Sequence, residues 1–140
     1  MQGAQIHYPA VFVAAAVHMA IGFLWYSPIG FAKIWMAAVG KTEADMKEAC
    51  KRGGLWKTYG IYFSALLLLS TVLAYFIDYT GADSMADGIG VGAWAWLGFV
   101  ATTSLGGVLF EKRPFRLYLI NGGYALVGMV ISGAILASWR

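Results

Sequence analysis

The sequence predicts an all-α integral membrane protein: a four-helix bundle with a short amphipathic helix on the cytoplasmic side, between its first and second spans. Three observations carry this. The 140 residues are 60% hydrophobic and 12% charged, with a mean hydropathy of +0.67, whereas about a quarter of the residues of soluble proteins are charged. The charges leave four uncharged runs, 6–32, 58–77, 88–110 and 117–139, of 27, 20, 23 and 23 residues; about 20 apolar residues in a helix cross a hydrocarbon core. The basic residues gather in two of the connections between these runs. The chain therefore reads as one membrane domain with spans near 9–28, 58–78, 88–110 and 115–138 and a connection at 29–57.

The first span opens at Tyr8-Pro9, where proline gives up an N–H that has no helical partner. Met1 to Gln5 contain no Lys or Arg, and the apolar stretch is too long for a signal-peptide core, so the span is expected to remain in the mature protein. It carries the least ordinary residues of the chain. His18, Gly22 and Trp25 recur at four and three residues, one helix face, and Tyr26-Ser27-Pro28 ends or kinks the span.

In the connection, Phe31 to Val39 continues helically to Gly40, and Thr42-Glu43-Ala44-Asp45 has the form of an N-cap followed by acids in the first turn. Glu43/Lys47 and Glu48/Arg52 are acid-first pairs at four residues, opposite a thin apolar stripe of Met46, Ala49 and Cys50. Gly53-Gly54 stop this helix, which is expected to lie on the membrane surface or cap the bundle, the alternative being a solvated loop helix. Cys50 is the only cysteine, so no intrachain disulfide is available.

The second span includes the run Leu66 to Leu69, and Asp78 closes it. The third begins with Gly88, Gly90 and Gly92 and later runs Thr102-Thr103-Ser104; the fourth holds Asn121-Gly122-Gly123-Tyr124, Gly128 and Gly133. Ten of the 18 glycines fall between 88 and 133. Helices in lipid adhere through close contact of small residues and through hydroxyl hydrogen bonds, so spans three and four are expected to form the tight interfaces. Their glycine faces exceed the needs of one hairpin, which points to a homo-oligomer, a dimer or larger.

Orientation follows from the basic residues. Lys33, Lys41, Lys47, Lys51, Arg52 and Lys57 lie in or beside the 29–57 connection, and Lys112, Arg113 and Arg116 follow the third span; the other side has only Arg140. The positive-inside rule places both basic loops in the cytoplasm and both termini outside, in a bacterial inner membrane. The net charge of +3 and pI near 9.1 follow from this topology, so membrane lipid and not nucleic acid is the expected partner.

Gly22-Phe-Leu-Trp25-Tyr26-Ser27-Pro28, Phe31-Ala-Lys33-Ile-Trp35-Met36, Phe110-Glu111-Lys-Arg113-Pro114 and Ile120-Asn121-Gly-Gly123-Tyr124 together resemble the bacterial membrane family called domain of unknown function 1761, over nearly the whole chain. The resemblance implies a small integral membrane protein and assigns it no reaction.

The polar groups at mid-depth are therefore the only candidate site. His18 lies near the middle of the first span, Thr102 and Thr103 slightly below the middle of the third, and Asn121 and Tyr124 in the inner half of the fourth. Ionisable residues at such depths usually face the bundle interior or a cavity. A polar crevice formed by His18, Thr103 and Asn121, with Trp25, Tyr26, Thr102 and Tyr124 around it, would bind or conduct a small solute or ion. The alternative is a structural or interaction protein in which the same residues only lock the helices.

Glu111 and Arg113 are expected to hold the cytoplasmic turn. No metal or cofactor is expected, because the mid-span histidine lacks partners: His7 lies eleven residues away. No serine has a recognisable base and orienting group, so no catalytic residue is assigned.

Overall fold

A computed structural model describes residues 3–140. Eight helical segments account for the chain: α1 (Tyr8–Trp25), α2 (Ala32–Val39), α3 (Glu43–Lys51), α4 (Leu55–Thr80), α5 (Met85–Ala95), a π-helical segment (Trp96–Ala101), α6 (Thr102–Leu109) and α7 (Phe115–Ser138). Tyr8–Trp25, Leu55–Thr80, Met85–Leu109 and Phe115–Ser138 are long and apolar enough to cross a membrane. The third is continuous through the π-helical segment, where the backbone widens for a turn.

Helix ends fall where local chemistry stops them. α1 ends at Trp25, before Pro28, since Pro28 has no N–H to offer the Leu24 carbonyl and the Ser27 hydroxyl donates there instead at 2.6 Å. The chain then doubles back. Phe31 N–H donates to the Trp25 carbonyl at 2.8 Å, and a Cβ at Gly30 would lie 2.5 Å from that same oxygen, so only glycine fits the turn. α4 begins at Leu55 and runs past Asp78 to Thr80, where Gly81 at φ +68° caps it. A charge sets where hydrocarbon ends and does not stop a helix. Ser84 starts α5 three residues before Gly88 by accepting from the Asp87 N–H at 3.1 Å.

α3 starts with a reciprocal capping box. Asp45 N–H donates to the Thr42 hydroxyl at 3.2 Å, and Thr42 N–H donates to the Asp45 carboxylate at 2.9 Å. These bonds hold the Asp45 carboxyl below the usual carboxylate range, the Thr42 backbone N–H contributing most.

α7 is the central helix, in contact with each of the other three long helices. Its closest partner is α5, and the reason is bare backbone: a Cβ on Gly88 would strike the Gly133 carbonyl, and one on Gly92 would strike the Met129 carbonyl. Gly128 faces the His18 imidazole. Gly128 and Gly133 are therefore used inside the chain, which removes them from the glycine surface expected to join subunits. Gly90, Gly98 and Gly106 of the third span have nothing within 4 Å of an added Cβ.

The buried core sits at one end. Ala10, Val11, Ala14, Leu73, Ile77, Met129, Leu136 and Ala137 pack there, around the halves of the helices nearer the termini. Arg140 closes that end on Asp78 at 3.3 Å, and His7 lies against Trp139 with ring centroids 5.4 Å apart. At the opposite end, nearer the 26–54 connection, α2 packs against α7.

Candidate functional site

The stripe of His18, Gly22 and Trp25 on α1 faces α7, and the residues it meets are Ile120 to Gly128. The Trp25 indole N–H donates to the Ile120 carbonyl at 3.0 Å. Its ring rests over Gly123, where a Cβ would lie 3.1 Å from the indole. Next along the chain, the Tyr26 hydroxyl donates to Asn121 Oδ1 at 2.6 Å. From the other side of α7, the Trp96 indole donates to the Gly122 carbonyl at 2.9 Å. Each residue from Ile120 to Tyr124 thus has a partner, and a Trp-Tyr pair on one helix docks on an Asn-Gly-Gly-Tyr sequence of another.

One turn deeper, Tyr124 bridges three helices. Its hydroxyl donates to the His18 carbonyl at 3.2 Å and accepts from the Tyr62 hydroxyl at 3.0 Å. Gly22 leaves room for it: an added Cβ would lie 3.0 Å from the Tyr124 hydroxyl. The His18 ring stands edge-on to the Tyr124 ring, centroids 5.2 Å apart, and is 2% exposed. Its seat is the bare Cα of Gly128. The sequence leads one to expect a hydrogen bond to this imidazole, and here the structure differs: Nδ1 has no partner among the described residues. The bond at this position goes to the histidine's backbone instead.

A cavity of about 730 Å³ opens beside this cluster. His18 and Gly22 of α1, Tyr26 just after it, Tyr59, Tyr62 and Leu69 of α4, Val100 of the π-helical segment and Asn121 and Tyr124 of α7 line it, with Trp35 of α2 and Met46 of α3 at its end. The remaining lining is apolar or aromatic, and among the described residues no Asp, Glu, Lys or Arg contributes. A cavity of this size, mostly apolar with a few convergent polar groups, is what small-molecule sites usually look like.

A second cavity of about 290 Å³ lies between α6 and α7. Thr103, Ser104, Glu111, Arg113 and Tyr118 line it, together with Val100 and Asn121, which line both cavities. Glu111 and Arg113 are paired at 2.6 Å across the turn, and the Tyr118 hydroxyl donates to the Ala101 carbonyl at 2.9 Å.

The sequence-derived residues thus divide. His18, Tyr26, Asn121 and Tyr124 come together in the larger cavity; Thr103 reaches only the smaller one, and Thr102 reaches neither. Both threonine hydroxyls are satisfied by their own helix, Thr102 on the Gly98 carbonyl at 2.6 Å and Thr103 on that of Phe99, the usual behaviour of threonine in an apolar helix. Trp25 is spent on holding α7 and lines neither cavity.

A family model described as Protein of unknown function (DUF1761) matches residues 9–137. The chain belongs to this family. The match takes in every residue of the larger cavity. No curated protein and no solved structure matches the chain.

Sequence reading missed Tyr62, Trp96 and Gly128. Tyr59 and Tyr62 are one helical turn apart, a shared-face signal that could have placed a second phenol on the site. Nothing in the sequence marks Trp96, whose indole reaches α7 from the first position of the π-helical segment.

Proposed function

We propose that this DUF1761 chain is a membrane-embedded binding module: a four-helix bundle that holds a small molecule in the cavity beside His18, Tyr62 and Asn121. One observation carries the reading. In a chain whose other half is closed by alanine and glycine, a cavity of about 730 Å³ remains, lined by four phenols, one carboxamide and one imidazole. Passage of a solute is the extended form of the same reading. It would run from this cavity past Val100 and Asn121 to the smaller one at Glu111 and Arg113.

The test is native mass spectrometry of the protein extracted in mild detergent, comparing wild type with Ala65→Phe and Ala125→Phe, each of which puts a ring into the cavity. A copurifying mass present on wild type and depleted on both variants is the expected result. An equal mass profile on all three overturns it.

The setting belongs to the same proposal. The two basic loops face the cytoplasm of a bacterial inner membrane, both termini lie outside, and α3 lies on the inner surface with its charged face in water. Reporter fusions after Gly53 and after Arg140 test this: the reverse activity pattern overturns it. The chain also forms a homodimer or larger assembly, through a face that includes Gly90, Gly98 and Gly106. A strictly monomeric mass in several mild detergents would refute that part.

A purely structural role is the second reading. The bonds of Trp25, Trp96 and Tyr118 to backbone carbonyls of neighbouring helices favour it for those three residues. It leaves the cavity without a purpose.

A further inference from the structure

The lining of the larger cavity specifies the chemistry of its occupant; this rests on the reading above that the cavity binds a small molecule. Charge comes first. Among the described residues no side chain with a formal charge lines the cavity, so an ionic ligand would shed its water without gaining a counter-ion.

Hydrogen-bonding capacity comes second. The Tyr26 proton is committed to Asn121 Oδ1, the Tyr62 proton to Tyr124 and the Tyr124 proton to the His18 carbonyl. These three phenols therefore offer acceptor lone pairs and no free donor, whereas the Tyr59 hydroxyl and the Trp35 indole N–H, in the same lining, have no partner among the described residues. With Oδ1 taken by Tyr26, Asn121 turns its amide nitrogen the other way, and neither of its two N–H groups has a partner among the described residues. Asn121 is exposed and lines the cavity. A few uncharged, unpaired donors in a mostly apolar wall, Asn121 being the one on α7, suit a ligand with an acceptor oxygen and an apolar body.

Shape comes third. The lining runs from Leu69 and Met129, near the packed half, to Trp35 and Met46 in the short helices at the other end. Its α1 and α4 walls include Met19, Phe23 and Ala65, side chains that hydrocarbon contacts without loss.

We propose that the occupant is an uncharged, carbonyl-bearing lipid. Its carbonyl oxygen accepts from the Asn121 carboxamide, and its chain lies between α1 and α4.

Bromine quenching of tryptophan fluorescence tests this on the full chain in detergent, since Trp35 lines the cavity. Three probes share one tail: dibrominated methyl stearate, the dibrominated free acid at alkaline pH, and dibrominated octadecane. Saturable quenching by the ester is expected, stronger than by the carboxylate or the hydrocarbon. Asn121→Leu should raise the ester's Kd about tenfold, or about 1.4 kcal/mol, and leave the hydrocarbon's unchanged. Ala65→Phe and Ala125→Phe should abolish the saturable component for the ester, either variant serving if the other does not fold.

If the carboxylate binds more tightly than the ester, and the blocking variants remove it, the cavity is a binding site and the proposed ligand class is wrong. An ester affinity indifferent to Asn121→Leu overturns the carbonyl assignment. If the blocking variants change no probe's quenching, the binding reading itself falls, and this proposal with it.

Discussion

The two ends of the molecule use the same four long helices in opposite ways. Near the termini α5 and α7 touch backbone to backbone at Gly88 and Gly133, and α1 and α4 fill the remaining space with Ala10, Ala14, Leu73 and Ile77. Towards the 26–54 connection the contacts are made by side-chain tips. Trp25, Trp96 and Tyr118 each donate one hydrogen bond to a carbonyl of a neighbouring helix, and tyrosines bridge what the backbones do not close. Small residues give contact and leave no room; long polar-tipped rings give fixed separation and leave a cavity. His18 on Gly128 sits where one scheme gives way to the other.

The largest predicted effect contrasts glycines at the two ends. A side chain at Gly133 must push away the Gly88 backbone, whereas a Cβ at Gly60 meets nothing within 4 Å. Gly133→Leu should destabilise by about 3 kcal/mol or more, the upper range for overpacking. Gly60→Leu should be neutral or stabilising by up to about 1 kcal/mol through helix propensity. Thermal unfolding in one detergent, followed by circular dichroism, decides it. Similar melting of the two variants would mean that the ends are not packed differently.

Much of this contrast is legible in the sequence, and the unreadable part has a common cause. Charge-free runs locate the four long helices, and the glycines of the third and fourth mark where they approach. Depth can be counted along a helix, so His18, Thr103 and Asn121 could be placed at similar heights. Direction around the axis could not. Thr103 turns to its own helix and to the smaller cavity, and the π-helical turn at Trp96–Ala101 rotates everything after it in a way no residue announces. Gly128 could be placed among the small residues of the fourth span but not matched to His18, because the imidazole it seats comes from a helix more than a hundred residues earlier in the chain.

Next in size is the hook that holds the open end together. Trp25→Phe keeps the ring over Gly123 and removes only the donor to Ile120, so it should cost about 1 kcal/mol. Loosening should be confined to that end, so the same unfolding measurement is paired with hydrogen exchange of α2 and α3. A loss as large as that of Gly133→Leu would show that the open end is not carried by single bonds.

His18 gives a smaller effect. With no side-chain partner at Nδ1 there is no bond there to lose, so His18→Leu should change the stability of the ligand-free protein by less than about 1 kcal/mol in either direction. If the residue instead locked the helices, the loss would be nearer 2 kcal/mol. A melt of the ligand-free variant against wild type distinguishes these.

The smallest effect is local and concerns α3, whose only half-buried residue, Met46, reaches the cavity. Its start depends on the box between Thr42 and Asp45, and Asp45 titrates below the ordinary carboxylate value of 3.8 because its ionised form accepts the Thr42 N–H. A depressed pKa means that the ionised carboxylate favours the folded box. That contribution is complete above the unfolded value and is lost as pH falls through the folded one. Amide protection in α3 should therefore hold at neutral pH and drop on strong acidification, while α5 and the second half of α7 stay protected. Asp45→Ala should show the low α3 protection at neutral pH already, and no further drop with acid. If α3 protection in wild type and Asp45→Ala coincides at every pH, the box does not hold the helix, and the wall of the open end at Met46 is set by the connection alone.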